Sequence, residues 1–96
     1  MLELRPTCEN CDKPLPPESE EAMICAYECT FCVECVETLL ENVCPNCGGG
    51  FERRPIRPKA EVMQNPPKGN RVYKPLDFNT FQSLKETNKS IHPKDR

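Results

Sequence analysis

The sequence is short of most of what catalysis and membrane insertion use. It has one histidine, no tryptophan and four glycines, and no apolar stretch approaches bilayer-spanning length. The start, MLELRP, lacks a basic segment followed by an apolar run. No signal peptide is therefore expected, and a reduced, cytoplasmic chain is the consistent reading. The histidine, His92, precedes Pro93 close to the last residue, where a solvated tail position is expected rather than a base or ligand. Glu18, Glu20 and Glu21 sit among loop residues with no apolar surroundings to set one acid apart from another. No triad, phosphate loop or acid–base pair is visible, so the chain is not expected to be an enzyme and no small-molecule substrate is evident.

Large apolar residues are scarce too. Leu4, Leu15, Ile24, Phe31, Val36, Leu40 and a few others must serve a first half of about fifty residues, and a core that thin rarely folds unaided. A staple is needed, either disulfides or metal, and a reducing compartment selects metal. Structural zinc contributes roughly 10–16 kcal/mol per site, which is folding energy at this size.

What the sequence has in excess is cysteine. Eight fall in the first half: Cys8-x2-Cys11, thirteen residues, Cys25-x3-Cys29-x2-Cys32-x2-Cys35, eight residues, and Cys44-x2-Cys47. Two residues between thiols let one tight turn aim both sulfurs at one ion, and four sulfurs complete a tetrahedral zinc shell. Eight make two shells with none left over. After Cys11 comes Asp12 and after Cys47 comes Gly48, two residue types that tolerate the positive φ with which a chain curls around an ion.

Charge divides the chain. Residues 1–50 carry Arg5 and Lys13 against ten carboxylates, a net −8, whereas residues 51–96 carry +6. An acidic metal domain is a poor match for a phosphate backbone, so nucleic acid is not an expected partner. The basic segment either touches nucleic acid weakly or folds back on the acidic head. Its Pro55, Pro58, Pro66, Pro67, Pro75 and Pro93, with few large apolar residues, predict a mostly disordered tail over 55–96, distinct from a metal domain over 1–54. One short helix, capped by Asp77 and presenting Phe78, Phe81 and Leu84, is an alternative within it.

Within the metal domain, Ala22–Tyr27 reads as a strand delivering Cys25. Val33, Val36, Leu39, Leu40 and Val43 share one helical face, and the helix must stop before Cys44-Pro45. Gly48-Gly49-Gly50 is expected to end the ordered part. The spacing leaves three ligand arrangements open. A linear split takes Cys8, Cys11, Cys25 and Cys29 against Cys32, Cys35, Cys44 and Cys47. An interleaved split takes Cys8, Cys11, Cys32 and Cys35 against Cys25, Cys29, Cys44 and Cys47. An iron–sulfur reading uses Cys29-x2-Cys32-x2-Cys35, but the fourth Cys-Pro comes eight residues later instead of three, across a helical segment.

The order of pair, loop, Cys-x3-Cys-x2-Cys-x2-Cys, helix and Cys-Pro-x-Cys resembles a RING finger, with Cys29 where the usual histidine stands. Phe31, Val36 and Leu39 lie at the RING's aromatic, aliphatic and tryptophan positions. The resemblance implies a small metal-stabilised α+β fold with one short helix and a small β-hairpin. It also implies two zinc ions and the interleaved cross-brace. The features tied to ubiquitin transfer differ: Asn10 replaces an aliphatic residue, Leu39 replaces tryptophan, and Gly48 follows the last cysteine in place of a cation. Residues 1–58, from MLELRPTCENCDKPLPP through ECTFCVEC and CPNCGG to RRPIRP, resemble the bacterial cysteine-rich family called domain of unknown function 1272, whose members are short, cytosolic and functionally unassigned. The leading expectation is a non-catalytic zinc adaptor for an unknown protein partner, with no membrane role and with the groove around Leu15, Leu39 and Leu40 as its contact surface. A RING-type ligase component, a nucleic-acid zinc finger and a zinc or redox sensor are the alternatives.

Overall fold

The computed structural model describes residues 1–96 and forms a small α+β fold. Strands β1 (Ala22–Ile24) and β2 (Thr30–Cys32) pair antiparallel, with Ala22 opposite Cys32 and Ile24 opposite Thr30. The loop between them closes through the Cys25 N–H donating to the Cys29 carbonyl at 3.2 Å, with Glu28 at φ 64°. The expected strand thus ends at Ile24, and Cys25 and Cys29 stand at the two feet of a tight hairpin loop. A third strand, β3 (Glu52–Arg53), pairs with the other edge of β1, giving the order β2-β1-β3. Order therefore continues past the glycine run: Phe51 packs edge-on against Phe31, ring centroids 5.4 Å apart.

After β2 the chain turns directly into helix α1 (Val33–Cys35), which winds on into a wider π-helical turn over Val36–Leu40. The Thr38 hydroxyl bonds back to the Glu34 carbonyl at 2.6 Å, a contact that bends helices. Glu41 and Asn42, both at positive φ, end the winding ahead of Cys44. Val36, Leu40 and Val43 are buried, Leu39 partly so, as the apolar spacing requires.

Three buried polar residues stitch the sheet to the N-terminal segment. The Glu9 carboxylate accepts from the Thr30 N–H at 2.7 Å and from Arg5 at 3.0 Å. Thr30 is itself buried, and its carbonyl takes the Glu9 N–H at 3.0 Å. Arg54 donates to the carbonyls of Arg5, Leu15 and Pro16 at 2.9–3.0 Å, fixing β3 to the acidic loop's start. Burial lowers the Arg54 pKa from its ordinary value.

Two expectations are corrected here. Leu15 and Leu40 are 1% and 0% exposed, so they fill the core and offer no surface; only Leu39 keeps a partly open flank. The thin apolar supply explains this, because a head with so few large side chains draws its leucines at these positions into the core. The tail is the second. Instead of disorder, residues 55–96 carry helices α2 (Lys59–Gln64) and α3 (Phe78–Asn88) and a closing 3-10 turn (Pro93–Asp95), and they run across the acidic head. The Gly69 N–H bonds to the Glu3 carbonyl at 2.9 Å. Arg71 grips Asp12 through two contacts of 3.0 and 2.6 Å and holds that carboxyl below its usual range. Phe81 is 3% exposed, with Leu76 and Leu84 packed beside it on the core. Arg96 caps the carbonyls of Asn42 and Gly48 at 2.8 and 3.2 Å. The short helix capped by Asp77, an alternative to disorder in the sequence, is the one that forms, and with Leu76 it lays Phe81 and Leu84 on an apolar flank of the head.

Candidate metal centres

Two knuckles of matching backbone geometry carry four of the sulfurs. In the first, the Asp12 N–H bonds to the Cys8 carbonyl and the Cys8 N–H to the Lys13 carbonyl, both at 2.9 Å. In the second, the Gly48 N–H bonds to the Cys44 carbonyl and the Cys44 N–H to the Gly49 carbonyl, both at 2.8 Å. The curl needs positive φ at the residue after each second cysteine, and Asp12 and Gly48 supply 65° and 77°. The other four sulfurs come from the β-hairpin and the start of α1. Cys25 and Cys29 flank the hairpin loop, while Cys32 ends β2 and Cys35 ends α1.

The fold brings the first knuckle to the helix start. The Sγ atoms of Cys8, Cys11, Cys32 and Cys35 all lie within 4.8 Å of one another. Cys8 and Cys35 are 3.9 Å apart and Cys11 and Cys32 3.7 Å. Four sulfurs about 2.3 Å from a central ion in a tetrahedron stand about 3.8 Å from each other. The first cluster therefore has the dimensions of a four-thiolate shell.

The second knuckle meets the hairpin. Cys25, Cys44 and Cys47 form a mutual set within 4.8 Å, and Cys29 stands outside that set. The Asn46 amide donates to the Cys29 sulfur at 3.4 Å. Backbone N–H groups of Tyr27 and Gly49 point at the sulfurs of Cys25 and Cys47, at 3.3 and 3.4 Å. Cys11 and Cys47 are the exposed members of their clusters, and all eight cysteines are free of disulfides. Each of the two cysteine groups can hold a metal ion.

Protonation favours the same conclusion. Burial pushes the thiols of Cys29, Cys32, Cys35 and Cys44 up, Cys35 and Cys44 furthest. Burial acts on Cys8 as well, but hydrogen bonds from the backbone of Cys11, Cys32 and Asn10 outweigh it and leave this thiol below its ordinary value. The raised thiols of Cys29, Cys32, Cys35 and Cys44 hold their protons until a cation offsets the charge, so an ion bound here displaces protons as it enters.

Sequence reasoning missed the residues around the sulfurs. Asn10 and Asn46, one inside each knuckle, both donate an amide N–H to a cysteine sulfur. Glu9 anchors the first knuckle to β2. The available signal was small: a side-chain amide at one of the two inner positions of both Cys-x2-Cys units.

An uncharacterized protein of Rhizobium meliloti (strain 1021) is 56% identical over 75 residues, covering 78% of this chain and 89% of the relative. That span exceeds the 57 residues matched by a family model, so the likeness runs on into the tail. No solved structure matches the chain significantly. The matching model, over residues 1–57, is that of the protein family of unknown function DUF1272, and the chain belongs to that family.

Proposed function

We propose that the protein is a non-catalytic module built on two zinc ions and serving as an adaptor for another protein. One ion is held by Cys8, Cys11, Cys32 and Cys35, the other by Cys25, Cys29, Cys44 and Cys47. The observation that carries this reading is the pair of sulfur separations in the first cluster, 3.9 and 3.7 Å, against the tetrahedral expectation of about 3.8 Å. The grouping joins the first ligand pair to the third and the second to the fourth, which is the RING-like cross-brace. An all-sulfur shell supports zinc, and the helix between Cys35 and Cys44 disfavours an iron–sulfur run. A shell closed by four thiolates leaves no coordination position for water or substrate, which supports a structural role over catalysis.

With Leu15 and Leu40 in the core, the surface taken for a partner is the apolar strip of Met1, Ile56 and Met63, which are 88, 47 and 79% exposed and adjoin one another through Ile56. Affinity capture with the Ile56→Asp, Met63→Asp double variant tests the adaptor role. The variant is expected to keep its zinc and lose the partners that the unaltered chain retains. Identical partners from both chains would contradict it.

A second reading, zinc or redox sensing, is favoured by the position of Cys29 and the exposure of Cys47. It requires the second site to surrender its ion first. One fast and one slow phase of zinc loss to a chelator or mild peroxide would support it, and a single phase covering both ions would oppose it.

A further inference from the structure

Asn10 and Asn46 occupy unrelated stretches of sequence and do the same thing. The Asn10 Nδ2 donates to the Cys35 sulfur at 3.4 Å, while its Oδ1 accepts the backbone N–H of Leu76 at 2.9 Å. The Asn46 Nδ2 donates to the Cys29 sulfur and to the Glu9 carboxylate, both at 3.4 Å, while its Oδ1 accepts from the Lys74 Nζ at 3.2 Å. Each amide thus has its donor end on a metal-site sulfur and its acceptor end on the same short stretch of tail. Between them, the Lys74 N–H bonds to the Glu9 carbonyl at 2.8 Å, inside the first knuckle. Just upstream, Arg71 is clamped on Asp12 beside that knuckle. Just downstream, Phe81 and Leu84 of α3 line one cavity with Phe31, Pro45 and Asn46.

We propose that residues 74–88 form a strap whose docking reports whether both metal sites are filled, with Asn10 and Asn46 as the positioning residues that carry the signal. Every acceptor that Lys74 and Leu76 of the strap meet lies on a knuckle: the Glu9 carbonyl and the Oδ1 atoms of Asn10 and Asn46. A knuckle keeps its curl around a bound ion, and each amide is then held with its N–H on a ligand sulfur and its Oδ1 turned to the strap. A knuckle that has lost its ion no longer holds those acceptors in place. Filled sites favour the docked strap, and by linkage the docked strap must favour filled sites by the same factor. Release of the strap uncovers Phe31 and Pro45 together with the apolar face of α3, so metal loss would convert a covered flank into an open one. The inference rests on the two-ion reading above.

The test is a double-mutant cycle on the full zinc-loaded chain, with zinc loss to a chromophoric chelator as the readout and native mass spectrometry to count ions at the start. Phe81→Asp removes α3 from the core without touching a sulfur or an asparagine. Asn10→Ala with Asn46→Ala removes both relays. Phe81→Asp is expected to speed zinc loss about fivefold or more in the unaltered background, the lower end of ordinary site-to-site coupling, and to have little effect once both asparagines are gone. Lys74→Met, an exposed change that folds, is expected to speed loss from the second site alone. Two ions at the start with equal effects of Phe81→Asp in both backgrounds would overturn this inference and leave the metal reading standing. A chain that never holds two ions would overturn both.

Discussion

At the level of single residues, the division of labour between core and surface is set by scarcity. Leu40→Ala is expected to cost about 2–5 kcal/mol, because a wholly buried leucine leaves a cavity that so small a core cannot collapse around. Chemical denaturation of the zinc-loaded chain measures it. Arg54 is the polar counterpart. Arg54→Met keeps the volume but strands the carbonyls of Arg5, Leu15 and Pro16, and a loss of about 3 kcal/mol is expected in the same assay. Glu28→Gly should act in the opposite sense. At φ 64° a side chain is strained and glycine is not, so a gain of about 0.5–1 kcal/mol is expected despite the lost 3.4 Å contact with the Glu3 N–H. The sequence made Asp12 and Gly48 legible because a knuckle demands a particular φ at a particular place. It did not make Arg54 legible, because an arginine's three carbonyl partners come from residues about forty to fifty positions away and leave no local mark.

Among the elements, the knuckles and the hairpin could be anticipated because cysteine spacing and apolar alternation are local. The tail could not. Its proline content argued for disorder, while what orders it is tertiary: backbone acceptors on the knuckles and a core flank fitted to Phe81. The likeness to the Rhizobium meliloti protein, which runs past the family match, agrees with a tail that is part of the structure. Gly69 gives a direct check. A Cβ there would lie 2.9 Å from the Cα and N of Arg5 and 3.0 Å from the Glu3 carbonyl, so Gly69→Ala must push the strap's entry off the head. Hydrogen exchange at residues 66–76 is expected to quicken while the zinc count stays at two. Unchanged exchange would mean that the tail is held by α3 alone.

For the molecule as a whole, the opposed charges of head and tail are brought face to face. Arg71 meets Asp12, and Lys85 and Lys89 meet Glu41 at 3.3 and 3.8 Å, while Lys74 donates to the neutral amide of Asn46, so these tail cations are engaged within the chain. Gel shifts with duplex or single-stranded DNA are therefore expected to show no salt-sensitive complex at low ionic strength. A complex that weakens steeply with salt would favour the nucleic-acid alternative instead.

The proposed fold energetics rest on cations in place of the large apolar core that this chain does not have. Native mass spectrometry, run beside circular dichroism before and after exhaustive chelation, puts that dependence to the question most directly. The expected result is a mass excess of two zinc ions per chain, and cooperative loss of structure when they are stripped. A chain that carries no metal as isolated, or that stays compact and melts cooperatively once stripped, would contradict it.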